Sequence, residues 1–168
     1  RGAGLARASG EWIALTEDNC VADDRWIETL MRGTGSEVDV IGGAVSNGVG
    51  RRATDCGAYF AEYGIYGGHR RRSLVPPIAA ASVAYRRSVV GDVAERFATG
   101  AWENVVHAQL YASGRRFKVV PEARVRHNQS IRIGAFFRSR FEHGRNYATQ
   151  RTKTLSLWQA IALFLATP

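Results

Sequence analysis

Two short apolar runs with an amphipathic stretch between them constrain this chain most. EWIALT (11–16) is followed by DDRWIETLMRG (23–33) and then by VDVIGGAVSN (38–47). Four to eight apolar residues bounded by turn formers read as buried strands. In the middle segment, Trp26, Ile27, Leu30 and Met31 share one helical face, Asp23 or Asp24 serves as N-cap, and Gly33 stops the helix. Strands that alternate with helices pack as an α/β sheet covered by helices. In the second run, Gly42-Gly43 marks a bend or a close backbone approach.

The remaining segments extend the pattern. AGLARASG (3–10) reads as the end of a helix closed by Gly10. Residues 46–77, rich in Gly, Arg and Tyr, form a long functional loop region with one helix near Tyr59–Tyr66. IAAASVAYRR (78–87) is a third strand, and WENVVHAQLYAS (102–113) is a helix stopped at Gly114. RFKVVP and ARVRH form two short strands around Pro121. Residues 88–101 receive no assignment. Cys20 and Cys56 fit no zinc spacing and are expected to be buried, reduced thiols.

Charge is divided unevenly along the chain. Residues 1–60 hold six Lys/Arg against nine Asp/Glu, and residues 61–168 hold 17 against six. The basic half runs into LSLWQAIALFLATP (155–168), which has no charged residue and is shorter than the roughly 20 residues a bilayer span requires. Arginines beside an apolar segment suit the anionic cytoplasmic face of a membrane. Arg138, Arg140 and Arg145, interleaved with Phe136, Phe137, Phe141 and Tyr147, suit a helix lying on such a surface. No zinc finger, RNP-like strand or KH loop supports nucleic acid as the partner. The chain is therefore expected to divide into a sheet-forming portion (1–130), a basic amphipathic segment (131–153) and an apolar helix (154–168) that packs in a core, lies at a membrane interface or starts a membrane span.

Three constellations can carry chemistry. Glu17-Asp18-Asn19 follows a strand, where oxygen donors can hold a divalent cation and a diphosphate or simply cap the turn. Glu103, flanked by Trp102 and two valines, is a general-base candidate or a first-turn complement to the helix dipole. His107, one turn on, either pairs with it or packs. His127, at the end of ARVRH, is a ligand for metal or phosphate or a surface histidine. Arg70-Arg71-Arg72 binds phosphate or is solvated.

The order of these landmarks resembles the family 2 glycosyltransferases with a GT-A fold. GAGLARASGEWIALTEDNCVADDRW (2–26), VDVIGGAV (38–45), AASVAYRR (80–87), WENVVHAQLYASG (102–114) and PEARVRH (121–127) follow that family's plan. The resemblance implies an incomplete GT-A-like mixed sheet flanked by helices, ending in an amphipathic and apolar helical segment. Nucleoside-binding strands would precede Arg1. It implies an inverting transfer of a hexosyl group from a nucleoside-diphosphate sugar to a lipid-linked or cell-envelope acceptor, at the cytoplasmic face of the cell membrane. Glu17, Asp18, Asn19 and His127 would hold the diphosphate, with Glu17, Asn19 and His127 around Mg²⁺ or Mn²⁺. Glu103 would be the general base, and Ser82, Trp102 and Arg145 would lie on the acceptor or membrane side. Asn19 and Trp102, standing where the family has acids, point to the alternative of a catalytically silent binding domain. A basic membrane-surface module with a structural acidic turn is the other.

Overall fold

The computed structural model describes residues 2–50, 52–67, 76–152 and 155–165. They form a mixed α/β fold with one five-stranded mixed sheet and seven α-helices among the described residues. The chain divides into two units, residues 1–130 and 131–168.

The first unit begins with α1 (Gly2–Arg7), β1 (Trp12–Leu15), β2 (Cys20–Ala22), α2 (Trp26–Arg32) and β3 (Val40–Asn47). Then come α3 (Ala53–Tyr63) with a 3-10 turn at Gly64–Tyr66, β4 (Val83–Arg86), α4 (Arg87–Ala98), α5 (Glu103–Ala112) and β5 (Phe117–His127). The strand order is β1-β4-β3-β5-β2. The β3 and β5 strands pair in parallel, whereas the β1–β4, β3–β4 and β2–β5 pairs are antiparallel. Thus β1, β3 and β5 point the same way, and their carboxyl ends share one edge of the sheet.

Apolar residues alternate across that sheet with the period of two a strand imposes. On one face Ile13, Val40, Val83 and Tyr85 meet Leu5 of α1, Val89, Val90 and Val93 of α4, and Val106 and Leu110 of α5. On the other, Ile41, Val45, Ala84 and Val125 meet Trp26 and Leu30 of α2 and the alanines at 79 and 81. Central β3 is covered on both faces, so its Val40–Val45 stretch is buried without interruption.

Several sequence expectations change. The α2 N-cap is Arg25 and not Asp23 or Asp24; the Asp23 carbonyl instead accepts the Trp26 backbone N–H at 2.8 Å. IAAASVAYRR is extended only from Val83. Before it, the Ser82 N–H donates to the Ala79 carbonyl at 3.0 Å, making a buried alanine turn. Burial is what its apolar run signals, and extension does not follow from burial alone. The two strands expected around Pro121 are one, because β3 offers a continuous parallel partner. Its register slips there: Val120 faces Gly43 but Arg124 faces Ala44, leaving Pro121, Glu122 and Ala123 to bulge. Proline has no N–H for the ladder and fits such a break. The unassigned stretch contains α4, whose valines are split by exposed Gly91. Both cysteines are free, as expected, but half-buried instead of buried.

His107 turns inward from α5. Its Nε2 lies 2.7 Å from the Tyr85 hydroxyl in the core, so it packs and does not serve as a partner for Glu103. Burial pushes its pKa down to about 4, against an opposing hydrogen bond to the Ile78 backbone. The unfolded chain therefore takes up a proton near pH 6.5 that the fold refuses until about pH 4. This contribution to stability is complete above pH 6.5 and is lost as pH falls toward 4. Urea titrations are expected to show it as ~1.4 kcal/mol per pH unit across that window. In His107→Gln this part of the slope should vanish.

In the second unit, α6 (Ile133–Thr152) and α7 (Leu157–Leu165) are the helical elements. No helix among the described residues is long and apolar enough to cross a membrane.

Candidate functional site

The shared edge of β1, β3 and β5 collects the polar groups. The turn after β1 carries Glu17, Asp18 and Asn19; β5 ends on His127; and α3 crosses above with Tyr59 and Tyr63. The antiparallel β2–β5 ladder pairs Cys20 with His127, which brings the β1 turn beside the end of β5. The Asn128 N–H reaches the Asn19 carbonyl at 2.8 Å and continues that contact past the ladder.

Side chains close the same gap. The Asn19 Nδ2 lies 3.0 Å from His127 Nε2 and donates to Gln129 Oε1 at 3.2 Å. With Asn19 as donor, Nε2 of the imidazole is the acceptor and its proton sits on Nδ1. The Tyr63 hydroxyl donates to Glu17 Oε2 at 2.9 Å, while its ring lies 4.4 Å from that of His127, centroid to centroid. One tyrosine thus fixes a carboxylate through its hydroxyl and an imidazole through its face. Tyr66 continues the wall at 6.3 Å from Tyr63, and the Tyr59 hydroxyl is anchored on the Val45 carbonyl at 2.8 Å.

The electrostatics follow from burial beside carboxylates. Burial lowers the pKa of His127, overcoming the opposite pull of Glu17 and Glu62, which favours a neutral imidazole. Burial first, and Glu17 second, push the Tyr63 hydroxyl well above its ordinary value, so it remains a donor. Cys20 is pushed up to about 11 by burial, then by Glu17, and stays a thiol. Tyr66 is pushed up to about 12 by burial and then by Glu103, which puts the start of α5 within electrostatic reach of the tyrosine wall.

The structure therefore brings Glu17, Asn19 and His127 together, with Asp18 exposed beside them. Glu103 opens α5 and Trp102 occupies its N-cap position, both half-buried. Ser82 requires a correction. It is wholly buried immediately before β4, where its carbonyl accepts the Gly43 N–H at 2.9 Å and its hydroxyl accepts the Trp26 indole N–H at 3.0 Å, so its polar groups are engaged within the sheet. Arg145 is exposed on α6 in the second unit. Arg70, Arg71 and Arg72 lie outside the described residues.

Sequence reading missed Tyr63, Tyr66 and Gln129. The tyrosines had a usable signal: positions 59, 63 and 66 recur at helical spacing and line one face. Gln129 had none. Tyr63→Phe is expected to remove about 1–2 kcal/mol of stability, because the Glu17 carboxylate loses a half-buried donor. Thermal unfolding of the variant checks this, and an unchanged midpoint would mean that water replaces the hydroxyl at no cost.

Among the described residues, no group of three or more His, Cys, Asp or Glu side chains could hold a metal ion. A cation here would take Glu17 with the polar atoms of Asn19 and His127, supplemented by phosphate and water, the mode in which Mg²⁺ relies on one or two carboxylates. No protein-family model matches the chain, and no curated protein is found to be similar to it.

Proposed function

We propose that residues 1–130 belong to the catalytic domain of an inverting glycosyltransferase of the GT-A type. Its donor is a nucleoside-diphosphate sugar, and its acceptor is a hydroxyl of a lipid-linked or cell-envelope glycan at the cytoplasmic membrane face. The observation that carries this reading is the joining of Glu17, Asn19 and His127 at the carboxyl ends of three like-directed strands, where open α/β sheets bind ligands. Tyr66, next to Tyr63, also senses the charge of Glu103, which is consistent with Glu103 acting on the acceptor side.

The assigned roles follow from chemistry. The diphosphate leaves with the electron pair of its bond to the anomeric carbon, so the donor side needs hydrogen-bond donors and a cation. Glu17, Asp18, Asn19 and His127 would line the diphosphate, and Glu17, Asn19 and His127 would hold Mg²⁺ or Mn²⁺ that neutralises the departing charge. On the acceptor side, Glu103 removes the hydroxyl proton as the new bond to carbon forms. A single displacement inverts the anomeric centre and requires no covalent nucleophile.

The test is release of nucleoside diphosphate from a panel of nucleotide sugars. The gene is expressed in its full reading frame in membranes, with Mg²⁺, with Mn²⁺ and with chelator. Turnover of one donor that depends on Glu103 supports the proposal. If no donor turns over, and wild type and Glu103→Gln bind all donors alike, the proposal fails.

A further inference from the structure

The α6 helix shows an arrangement that the proposed transfer reaction does not explain. Ile133, Phe137 and Phe141 recur every fourth residue, which stacks them on one helical face. They are 55 %, 65 % and 72 % exposed, respectively. On the same side, Gly144 and Ala148 continue the stripe with small residues. The borders of the stripe are basic. Arg138 and Arg145 flank it on one edge, and Arg140 flanks it on the other, its guanidinium 5.7 Å from the Phe136 ring centre.

Charge balance selects the kind of partner. Between Ile131 and Thr152 there are five arginines and a single carboxylate, Glu142, which Arg138 meets at 3.3 Å. An apolar stripe with an arginine border complements a surface that is apolar below and anionic above. A sheet of anionic lipid headgroups over acyl chains has that layering. Nearly every described side chain of α6 is exposed or half-buried, so little core burial stabilises the helix, and interior Gly144 weakens it further. In α7, Leu157 and Trp158 are likewise exposed, at 73 % and 78 %.

We propose that α6 is an in-plane anchor for anionic lipid. Ile133, Phe137 and Phe141 enter the boundary between headgroups and acyl chains, and Arg138 and Arg145 meet lipid phosphates. This attachment does not depend on sugar transfer, and its test involves no nucleotide sugar.

The full chain is sedimented with sucrose-loaded vesicles of phosphatidylcholine, with and without phosphatidylglycerol. Binding to the anionic vesicles and little binding to the neutral ones is expected. Phe137→Ser with Phe141→Ser should lower the partition coefficient by about a hundredfold or more, the effect of withholding two buried aromatic side chains. Arg138→Gln with Arg145→Gln should lower it by about fivefold per charge, and added salt should erase that difference. All four positions are exposed, and an unchanged thermal midpoint in each variant verifies folding. Equal binding to both vesicle types overturns the proposal, as does full retention by the double phenylalanine variant. So does capture of duplex DNA or RNA by a chain that leaves the vesicles unbound.

Discussion

Gly43→Ala is expected to destabilise the first unit by about 3–5 kcal/mol, read as a lower urea midpoint at unchanged slope. A methyl group on Gly43 would overlap the Ala123 carbonyl oxygen, which belongs to the bulge of β5. It would also lie 2.5 Å from the Ser82 hydroxyl. Neither neighbour can yield easily. The carbonyl is backbone within a paired sheet, and Ser82 is held by the Trp26 indole and by the Gly43 N–H on its own carbonyl, at 2.9 Å. Relief would require β3 and β5 to part at the centre of the sheet. The two controls differ in what a methyl group meets. At Gly42 it would overlap the branched Cβ and Cγ atoms of buried Ile78, a side chain and not paired backbone, so the loss should be substantial but smaller than at Gly43. At Gly35 it meets nothing within 4 Å, and Gly35→Ala should be near neutral. If Gly43→Ala unfolds with the Gly35→Ala midpoint, the close approach of β3 to the bulge is wrong.

Glu103→Gln is expected to lower kcat by ~10²–10⁴-fold, the usual range for removing a general base. Glutamine preserves size and helix position, so the unfolding free energy should hold within about 1 kcal/mol. KM for the donor should move little, because the donor-side groups are Glu17, Asn19 and His127. Glu17→Gln should show the opposite division, with weaker donor binding and a change in metal response. Initial rates at varied donor and acceptor concentrations separate the two. If Glu103→Gln retains full kcat on a donor that the wild type turns over, the acceptor hydroxyl loses its proton to some other group.

How much of this was legible in the sequence depends on the range of the interactions involved. β1 and β3 could be read as short apolar runs bounded by turn formers, and α2 and α5 as helical apolar patterns that stop at Gly33 and Gly114. β2 could not, since three residues have no period and exist as a strand only by pairing with β5. The alanine run before β4 signalled burial correctly but not its turn, because alanine fits either conformation. In α4, Gly91 broke the valine pattern, although it faces solvent and costs the packed face nothing.

The candidate site divides along the same line. Its acidic turn and terminal histidine could be picked out as residue types at strand ends. Their partners could not. Tyr63 is 46 positions from Glu17, and His127 is 108 from Asn19. Ser82 shows the reverse: a polar residue expected on the acceptor side is buried immediately before β4, bonded to Trp26 and Gly43.

By itself, then, the sequence determined the alternation of strands and helices, the buried glycine pair and the basic, apolar character of residues 131–168. These are local matters of period, size and charge. Tertiary structure alone decided the strand order, the bulge opposite Gly43 and the tyrosine that joins Glu17 to His127. Each depends on which distant segments share one end of the sheet, and burial, in the core for His107 and at that end for His127, lowers both imidazole pKa values through desolvation that no local pattern encodes.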